Sequence, residues 1–320
     1  MAPHSGYFLL NSKGLLQMNK FLNNLILGDC IEQMKELPDS SIHAIISDIP
    51  YGIGAEDWDV LHKNNNSAYL GTSPAQKKAQ ANFAKRGKPI NGWSEADRRI
   101  SHEYQEWCSS WAKEWNRVLV PGGSALVFAG RRFEHRCINA LEDNGFSLKD
   151  QLAWIKPKAP HRAQRLSVVY ERRGDIKAAN DWNGWRLGNL RPRFEPIIWA
   201  VKPYKVGTTI ADNALNYGVG AYNPQAVFQG GSEDSSNILE VGSNRSEPKI
   251  HPTQKPLKLM QILVELVTRP EQIILDPFAG SGSTLVAAQS IGRAYIGFEL
   301  NPEYHRLALE RLKTVQETLI

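Results

Sequence analysis

The sequence is poor in cysteine and has no long apolar runs. Its 320 residues include only Cys30, Cys108 and Cys137, none in a C-x-x-C spacing, so we expect neither a structural zinc site nor a disulfide framework. No run of about 18 apolar residues is present, and the N-terminal segment lacks the pattern of a secretory signal. These absences favour a protein of the reducing cytoplasm with no membrane span and no bound metal.

Excess positive charge is confined to one segment. The chain has a net charge of +5, yet residues 156–193 contain ten Lys or Arg and only three acids. A local basic stripe is what a nucleic-acid contact requires, although a solvated surface would show the same composition. The candidate contacts in and near this segment are Arg131, Arg132, Lys156, Lys158, Arg162, Arg165, Arg172 and Arg173.

Apolar segments alternate with amphipathic ones, which is typical of a doubly wound α/β sheet. We predict strands at 42–47, 124–129, 148–155, 194–201, 272–276 and 294–299, and helices at 103–118, 134–144, 256–268, 283–291 and 302–316. Three stretches fall outside this pattern, and the last two are expected to lie on the sheet as an insertion: 52–100, 157–192 and 203–250. Trp107, Trp111 and Trp115 share one helical face, which we interpret as core.

The stretch I-I-L-D-P-F-A-G-S-G-S-T-L (273–285) predicts a ligand-binding turn. A strand ends at Asp276, the chain turns through Gly280 and Gly282, and a helix follows whose first amides are free for a ligand. The next strand ends at Glu299, where an acid binds ribose in nucleotide folds. No lysine follows the second glycine, and Leu285 replaces the third glycine of the dinucleotide fingerprint. The stretch therefore predicts a nucleoside cofactor without a pyrophosphate requirement.

The stretch S-D-I-P-Y-G (47–52) follows an apolar run and places an acid, Asp48, at the end of a predicted strand. A buried strand that ends on Asp48 and Tyr51 places both at the carboxyl edge of the sheet, where open α/β sheets bind ligands. We therefore expect these side chains to share one cavity with the glycine turn.

Five motifs together resemble those of the β class of amino-group DNA methyltransferases. D-I-P-Y (48–51) is similar to their D-P-P-Y motif, and D-P-F-A-G-S-G-S-T (276–284) is similar to their S-adenosylmethionine motif. The others are G-D-C (28–30), H-P-T-Q-K-P (251–256) and G-F-E-L-N-P-E-Y (297–304). The resemblance implies a Rossmann-like, doubly wound α/β sheet with circularly permuted motif order and an inserted target-recognition region.

The resemblance also implies a division of the chain into three parts. Residues 1–156 would form the catalytic half of the methyltransferase domain and include the polar insertion 52–100. Residues 157–250 would form the target-recognition insertion, with a sheet strand at 194–201. Residues 251–320 would form the cofactor-binding half.

S-adenosyl-L-methionine is the cofactor that the resemblance implies. Asp29 would accept a hydrogen bond from its adenine amine, although the same side chain could simply cap the following helix. Glu299 would bind both ribose hydroxyls. The other implied contacts are Cys30, Thr253, Gln254, Lys255, Asp276, Phe278, Ala279, Gly280, Gly282, Thr284 and Asn301. The segment 251–255 could instead be a plain turn.

The implied catalytic residues are Asp48, Ile49, Pro50 and Tyr51. The Asp48 carboxylate and the Ile49 carbonyl would accept the N–H bonds of an exocyclic amine, and Tyr51 would stack on the flipped base. Ile49 replaces the first proline of the motif, which keeps the carbonyl but loses the fixed φ. An acid at this position resembles the adenine-N6 enzymes, whereas serine is more typical of cytosine-N4 enzymes. No cysteine lies in the P-C context of cytosine-C5 chemistry.

Double-stranded DNA is the partner that the resemblance implies. A homodimer and a cognate restriction endonuclease are further expected partners, in a bacterial or phage-host cytoplasm. Three alternatives stay open at this point: cytosine-N4 transfer, a catalytically silent DNA-binding relative, and an RNA or small-amine substrate.

Overall fold

The computed structural model describes residues 12–52, 95–159, 163–228, 235–242 and 254–319. The strands in these ranges are β1 Asn24–Leu27, β2 Ile42–Asp48, β3 Leu119–Phe128, β4 Ser147–Ile155, β5 Gln164–Arg165, β6 Arg186–Leu187, β7 Phe194–Val201, β8 Ile238–Glu240, β9 Ile273–Asp276 and β10 Ala294–Glu299. The helices are α1 Ser12–Asn19, α2 Cys30–Met34, α3 Glu95–Val118, α4 Glu134–Asp143, α5 Leu166–Arg172, α6 Ile176–Asp181, α7 Ile210–Tyr217, α8 Leu257–Val267, α9 Ser283–Ser290 and α10 Pro302–Leu319, with a short 3-10 helix at Pro224–Val227.

Eight strands form one sheet in the order β1-β10-β9-β2-β3-β7-β4-β8. Neighbouring strands are parallel except on both sides of β7, which runs antiparallel to β3 and β4. The carboxyl ends of all the other strands therefore meet at one edge, together with the beginning of β7. The predicted doubly wound α/β sheet is confirmed.

Two apolar layers cover the sheet. Helices α3 and α4 pack on one face, and α8, α9 and α10 pack on the other. Trp111 and Trp115 are fully buried in the first layer, and Trp107 packs against its edge. The interpretation of the tryptophan stripe as core is confirmed. Among the described residues, no helix is long and apolar enough to cross a membrane.

Every predicted strand and helix is present, with ends that differ mostly by one to three residues. Two differences are larger: α3 begins at Glu95 and β3 begins at Leu119. Strand β1 was not predicted, because four residues are too short for a clear pattern. The prediction that 203–250 lies on the sheet and forms no part of it is wrong, because β8 in this stretch pairs with β4.

The segment between β4 and β7 forms a small layer of its own. Helices α5 and α6 pack together, and β5 pairs with β6 as a two-stranded ribbon. After α6, nearly every side chain as far as Phe194 is exposed, including Trp182 and Trp185. The base of the segment is closed by a hydrogen bond of 2.7 Å from the Lys156 amide to the Arg193 carbonyl. The predicted insertion therefore projects from the sheet edge that carries the strand ends.

Helix α9 packs very closely on β10, although the usual third glycine of a nucleotide-binding turn is missing. Leu285 of α9 is fully buried. A Cβ added to Gly297 of β10 would lie 2.4 Å from Leu285 Cδ1 and 2.9 Å from Leu25 Cδ1. The glycine that allows close helix–strand packing therefore lies on the strand instead of the helix.

We expect Gly297→Ala to lower the free energy of unfolding by about 1–3 kcal/mol, because the added methyl group would overlap two buried leucine side chains and overpack the core. Urea denaturation monitored by tryptophan fluorescence measures the change. Gly242→Ala is the matched control, because its added Cβ would contact only Pro157 Cγ at 3.6 Å. An unchanged stability of Gly297→Ala would contradict this account of the packing.

Candidate active site

Four acidic side chains lie at the ends of adjacent parallel strands. Asp29 follows β1, Glu299 ends β10, Asp276 ends β9 and Asp48 ends β2. Strands β9 and β2 are hydrogen-bonded neighbours, and Ser47 Oγ donates to Asp276 Oδ1 at 2.6 Å. The predicted juxtaposition of Asp48 with the glycine turn is therefore confirmed.

The glycine turn holds the carboxylate of Glu299 with backbone amides. The Gly280 amide donates to Glu299 Oε2 and the Asn301 amide donates to Oε1, both at 2.7 Å. Gly280 and Gly282 have φ values of +51° and +72°, a backbone conformation that favours glycine. Burial raises the pKa of Glu299. Each carboxylate oxygen keeps a further lone pair for a ligand hydroxyl.

Asp29 caps helix α2, and this contact uses only one of its oxygens. Oδ1 accepts hydrogen bonds from the Ile31 amide at 2.9 Å and the Glu32 amide at 3.2 Å. The preceding residue, Gly28, donates its amide to the Glu299 carbonyl at 2.9 Å. The capping alternative is therefore correct. The side chain is nevertheless exposed at the same edge as Glu299, so both roles are compatible.

The side chains of three other predicted cofactor residues are buried. Burial raises the pKa of the Cys30 thiol to about 12, so a ligand contact at this residue would use its backbone. Ala279 and Thr284 are nearly inaccessible. Phe278 is half-buried and packs against Trp107 with a centroid distance of 5.7 Å. The tryptophan stripe of α3 thus supports the aromatic wall of the turn.

Asp276 is the most deeply buried acid of the turn. Its Oδ1 accepts the hydroxyl of Ser47 and the Phe278 amide, the latter at 3.2 Å, and Thr284 supplies another hydrogen bond. Burial outweighs these donors and raises the pKa of Asp276 from its ordinary value of 3.8 to about 6. Because burial makes the ionised form of Asp276 unfavourable, its carboxylate is suited to bind a cationic ligand group.

The two carboxylate oxygens of Asp48 have different surroundings. Lys255 Nζ lies 2.5 Å from Oδ2. Oδ1 is buried and has no hydrogen-bond partner among the described residues. Burial raises the pKa of Asp48, although the charge of Lys255 opposes the rise. An unpaired buried oxygen of this kind is a natural acceptor for a donor on a bound substrate.

Sequence reasoning missed the roles of Glu195 and of the Lys255 side chain. Lys255 is buried and also lies 3.2 Å from Glu195 Oε1. Glu195, in the second position of β7, accepts the hydroxyl of Tyr51 and pairs with Lys156. Burial would raise the pKa of Glu195, but the charges of Lys255 and Lys156 outweigh it and lower the pKa to about 2. The available signal was an acid inside the apolar strand F-E-P-I-I-W-A-V.

The D-I-P-Y residues have separate packing roles. Ile49 is buried in the core, and the Pro50 carbonyl accepts the Tyr104 hydroxyl at 3.1 Å. The Tyr51 ring lies against the backbone of Gly130, where an added Cβ would come within 2.9 Å of Tyr51 Cγ. Packing of Ile49 thus supplies part of the rigidity that the missing proline would give.

The predicted DNA contacts differ in their surroundings. Lys158, Arg165, Arg172 and Arg173 are exposed on or beside the insertion, and Arg131 is exposed after β3. Arg132 lies over the Phe133 ring at 4.7 Å, and Lys156 is paired with Glu195. Arg162 and Thr253 lie outside the described residues. Gln254 is described and half-buried next to Lys255.

The sequence of this chain matches a known protein family. The DNA methylase family N6_N4_Mtase matches residues 42–310. The chain belongs to this family of DNA methylases. It is therefore a methyltransferase of DNA that uses S-adenosylmethionine as its methyl donor.

Relatives with the same architecture cover nearly the whole chain. The type II methyltransferase M.HindIII of Haemophilus influenzae is 55% identical over 289 residues, which span 89% of this chain and 93% of that protein. The M1.HpyAVI complex with SAM has a TM-score of 0.52 at 22% identity, over 90% of this chain and 98% of that one. The cytosine-N4-specific PvuII methyltransferase has a TM-score of 0.58 at 18% identity, over 92% of this chain and 90% of that one. The two structures support the fold.

The residues at the sheet edge fit this cofactor. Glu299 is oriented by two amides, Asp29 has a second oxygen at the same edge, and Asp276 is a buried acid beside the turn. These acids suit ribose hydroxyls, an adenine amine and a cationic amino-acid end. In the parts of the chain that the structure describes, no cluster of His, Cys, Asp and Glu could hold a metal ion.

We expect Asp276→Asn to stabilise the ligand-free protein near pH 7. Because its pKa is raised, Asp276 loses its proton at a higher pH in the native state than in the unfolded chain. The stability of the protein therefore falls as the pH rises from about 4 to about 6, and it remains at the lower value above pH 6. The amide removes this penalty, which is on the order of 2–3 kcal/mol. Thermal unfolding across pH measures it, with exposed Asp181→Asn as the control. A variant less stable than wild type at every pH would contradict the assignment.

Proposed function

We propose that this DNA methyltransferase acts on the N6 amino group of adenine in a site-specific manner on duplex DNA. The observation that carries the proposal is the Asp48 carboxylate at the end of β2. Its Oδ2 is paired with Lys255 and its buried Oδ1 lacks a partner among the described residues. The acid in the D-I-P-Y motif, where serine is more typical of cytosine-N4 enzymes, supports adenine.

Asp48 and Ile49 would raise the reactivity of the target amine. An exocyclic amine is a poor nucleophile because its lone pair is delocalised into the ring. Asp48 Oδ1 and the Ile49 carbonyl would accept its two N–H bonds and leave the lone pair available for methyl transfer. A fixed negative charge would also stabilise the positive charge that develops on the nitrogen. S-adenosylmethionine supplies the electrophilic methyl group when it is bound.

Tyr51 would hold the target base after it leaves the duplex. Its hydroxyl is bound to Glu195 and lies 3.2 Å from Lys255 Nζ. The ring packs against the backbone of Gly130, and a side chain at position 130 would overlap it. A ring fixed at both ends is suited to stack on a flipped base at low entropic cost.

The cofactor would lie along the ends of β1, β10 and β9. Glu299 would bind the ribose hydroxyls, and the free oxygen of Asp29 would accept the adenine amine. The methionine end would lie against the turn, where the proposed contacts are Asp276, Phe278, Ala279, Gly280, Gly282 and Thr284. Backbone groups of Cys30, Asn301 and the segment 253–255 complete the proposed pocket.

The segment between β4 and β7 would contact the DNA backbone and read the target sequence. Its exposed cations flank the exposed Trp182 and Trp185, whose rings are in contact at 5.5 Å. Cations position a protein on phosphates, and aromatic rings stack on bases. The proposed contacts are Arg131, Arg132, Lys158, Arg162, Arg165, Arg172 and Arg173. This assigns residues 157–250 to recognition, between a catalytic part and a cofactor-binding part.

The type II names of the relatives support two further elements of the proposal. A cognate restriction endonuclease would cut the same site when it is unmethylated, and the bacterial cytoplasm would be the place of action. A homodimer stays a proposal that the resemblance alone supports.

Incubation with labelled S-adenosylmethionine and duplex DNA, followed by digestion to nucleosides, tests the reaction. We expect label in N6-methyldeoxyadenosine, and a loss of at least about 100-fold in kcat for Asp48→Asn, because the charge facing the amine is removed. Cofactor affinity of the variant should stay near that of wild type. Label in N4-methyldeoxycytidine, or label only in a parallel incubation with RNA, would overturn the substrate assignment.

We expect Arg172→Gln combined with Arg173→Gln to weaken DNA binding and to lower the slope of log Kd against log salt by about 2, because each lost phosphate contact contributes about 0.9. Fluorescence anisotropy at several salt concentrations measures the slope. The double variant Lys205→Gln with Lys313→Gln is the charge-matched control, since Lys205 follows the far end of β7 and Lys313 lies late in α10. Equal slopes in the two variants would contradict the proposed surface.

A further inference from the structure

Four charged side chains, one of them Asp48, and one hydroxyl form a continuous and largely buried network. Lys255 lies between Asp48 Oδ2 at 2.5 Å and Glu195 Oε1 at 3.2 Å. Glu195 also accepts the Tyr51 hydroxyl on one oxygen and pairs with Lys156 through the other. The lysine and both acids come from three separate segments: the loop before α8, the end of β2 and the beginning of β7.

The network is balanced in charge and largely closed to water. Two ammonium groups face two carboxylates, so no net charge is buried. Lys255 and Glu195 are nearly inaccessible, with side-chain exposures of 5% and 9%. Lys255 also lies 4.8 Å from the Phe128 ring and 5.5 Å from the Tyr51 ring, which adds two favourable faces for its charge. Such a network fixes its members in one geometry.

We infer that Lys255 and Glu195 are positioning residues for methyl transfer: Lys255 occupies Asp48 Oδ2 and leaves only Oδ1 for the target amine, while Glu195 holds both Lys255 and the Tyr51 hydroxyl. Lys156 supports Glu195 from the other side. This role goes beyond the sequence resemblance, which implied for Lys255 only a contact with the cofactor. The inference rests on the proposed role of Asp48.

The two positioning residues act on the charge of Asp48 in opposite directions. The groups that face Asp48 or its partners are Lys255 before α8, Glu195 on β7, Lys156 directly after β4, Tyr51 after β2 and Asp276 on β9. Burial raises the pKa of Asp48, Lys255 lowers it and Glu195 raises it. The charges of Asp48 and Glu195 in turn keep the pKa of Lys255 raised despite its burial.

Opposite charge changes should therefore shift the acid limb of the rate profile in opposite directions. Asp48 must be ionised to accept the amine, so the rate falls as pH falls through its pKa. Lys255→Met removes the cation and should move that limb to higher pH. Glu195→Gln keeps the volume and one acceptor oxygen but removes an anion, so it should move the limb to lower pH. A merely structural role would lower the rate without moving the limb in opposite directions.

Single-turnover methyl transfer measures this effect with enzyme saturated by labelled S-adenosylmethionine and duplex DNA, from about pH 5 to pH 9. We expect each variant to react at least about ten-fold more slowly, with limbs displaced by about one pH unit in the two directions. Affinities for cofactor and DNA should change less than about three-fold. Lys205→Met and Glu142→Gln are exposed, charge-matched controls away from the sheet edge, and their limbs should coincide with that of wild type.

Limbs that stay in place, or that move in the same direction in both variants, would overturn the inference. If Lys255→Met does not fold, Glu195→Gln decides alone, and an unmoved limb overturns the proposal. Loss of folding in both variants would assign the network a structural role and would also overturn it. Failure of the proposed function is distinguishable, because wild-type enzyme would then place no label in adenine.

Discussion

The pairing of β2 with β9 is the constraint on which the site depends. Ala44 lies opposite Ile274 and Ile45 lies opposite Leu275 in a parallel register. This register brings the end of β2 beside Asp276, which accepts the hydroxyl of Ser47, the residue before Asp48, although the two acids are more than two hundred residues apart in the chain. A shift of one residue would turn every side chain of β2 to the other face and change the position of the D-I-P-Y motif relative to the glycine turn. The apolar sequence of both strands stabilises the correct register.

Much of the fold could be predicted from the spacing of apolar residues along the chain and from the turn residues between the apolar segments. The strands 194–201 and 294–299 were predicted at their observed bounds, and the glycine turn and the acid after it were identified from local sequence. The edge position of Asp48 also followed, because parallel strands end at one edge. These features are local, so one sequence contains them in full.

The features that escaped prediction depend on contacts between distant segments. Glu195 is an isolated acid in an apolar strand, and its partners Tyr51 and Lys255 are far from it in the chain. Strand β8 has three residues and is defined by its pairing with β4. Gly297 takes over the packing role of the third fingerprint glycine, which Leu285 replaces on α9, because close packing needs one small residue at the contact and does not specify which element supplies it. The spacing of apolar residues along the chain does not show which distant segments will contact each other.

The closed base of the insertion has a consequence for the diversity of these enzymes. Lys156 directly follows β4 and Glu195 lies on the neighbouring strand β7, and the backbone bond from Lys156 to Arg193 ties the two stems together. Everything between these stems can vary in length and composition while the sheet and the charged groups behind Asp48 keep their places. On the proposed assignment of this segment to target recognition, a lineage could acquire a new target sequence by exchanging one loop, and the reaction itself would be inherited unchanged.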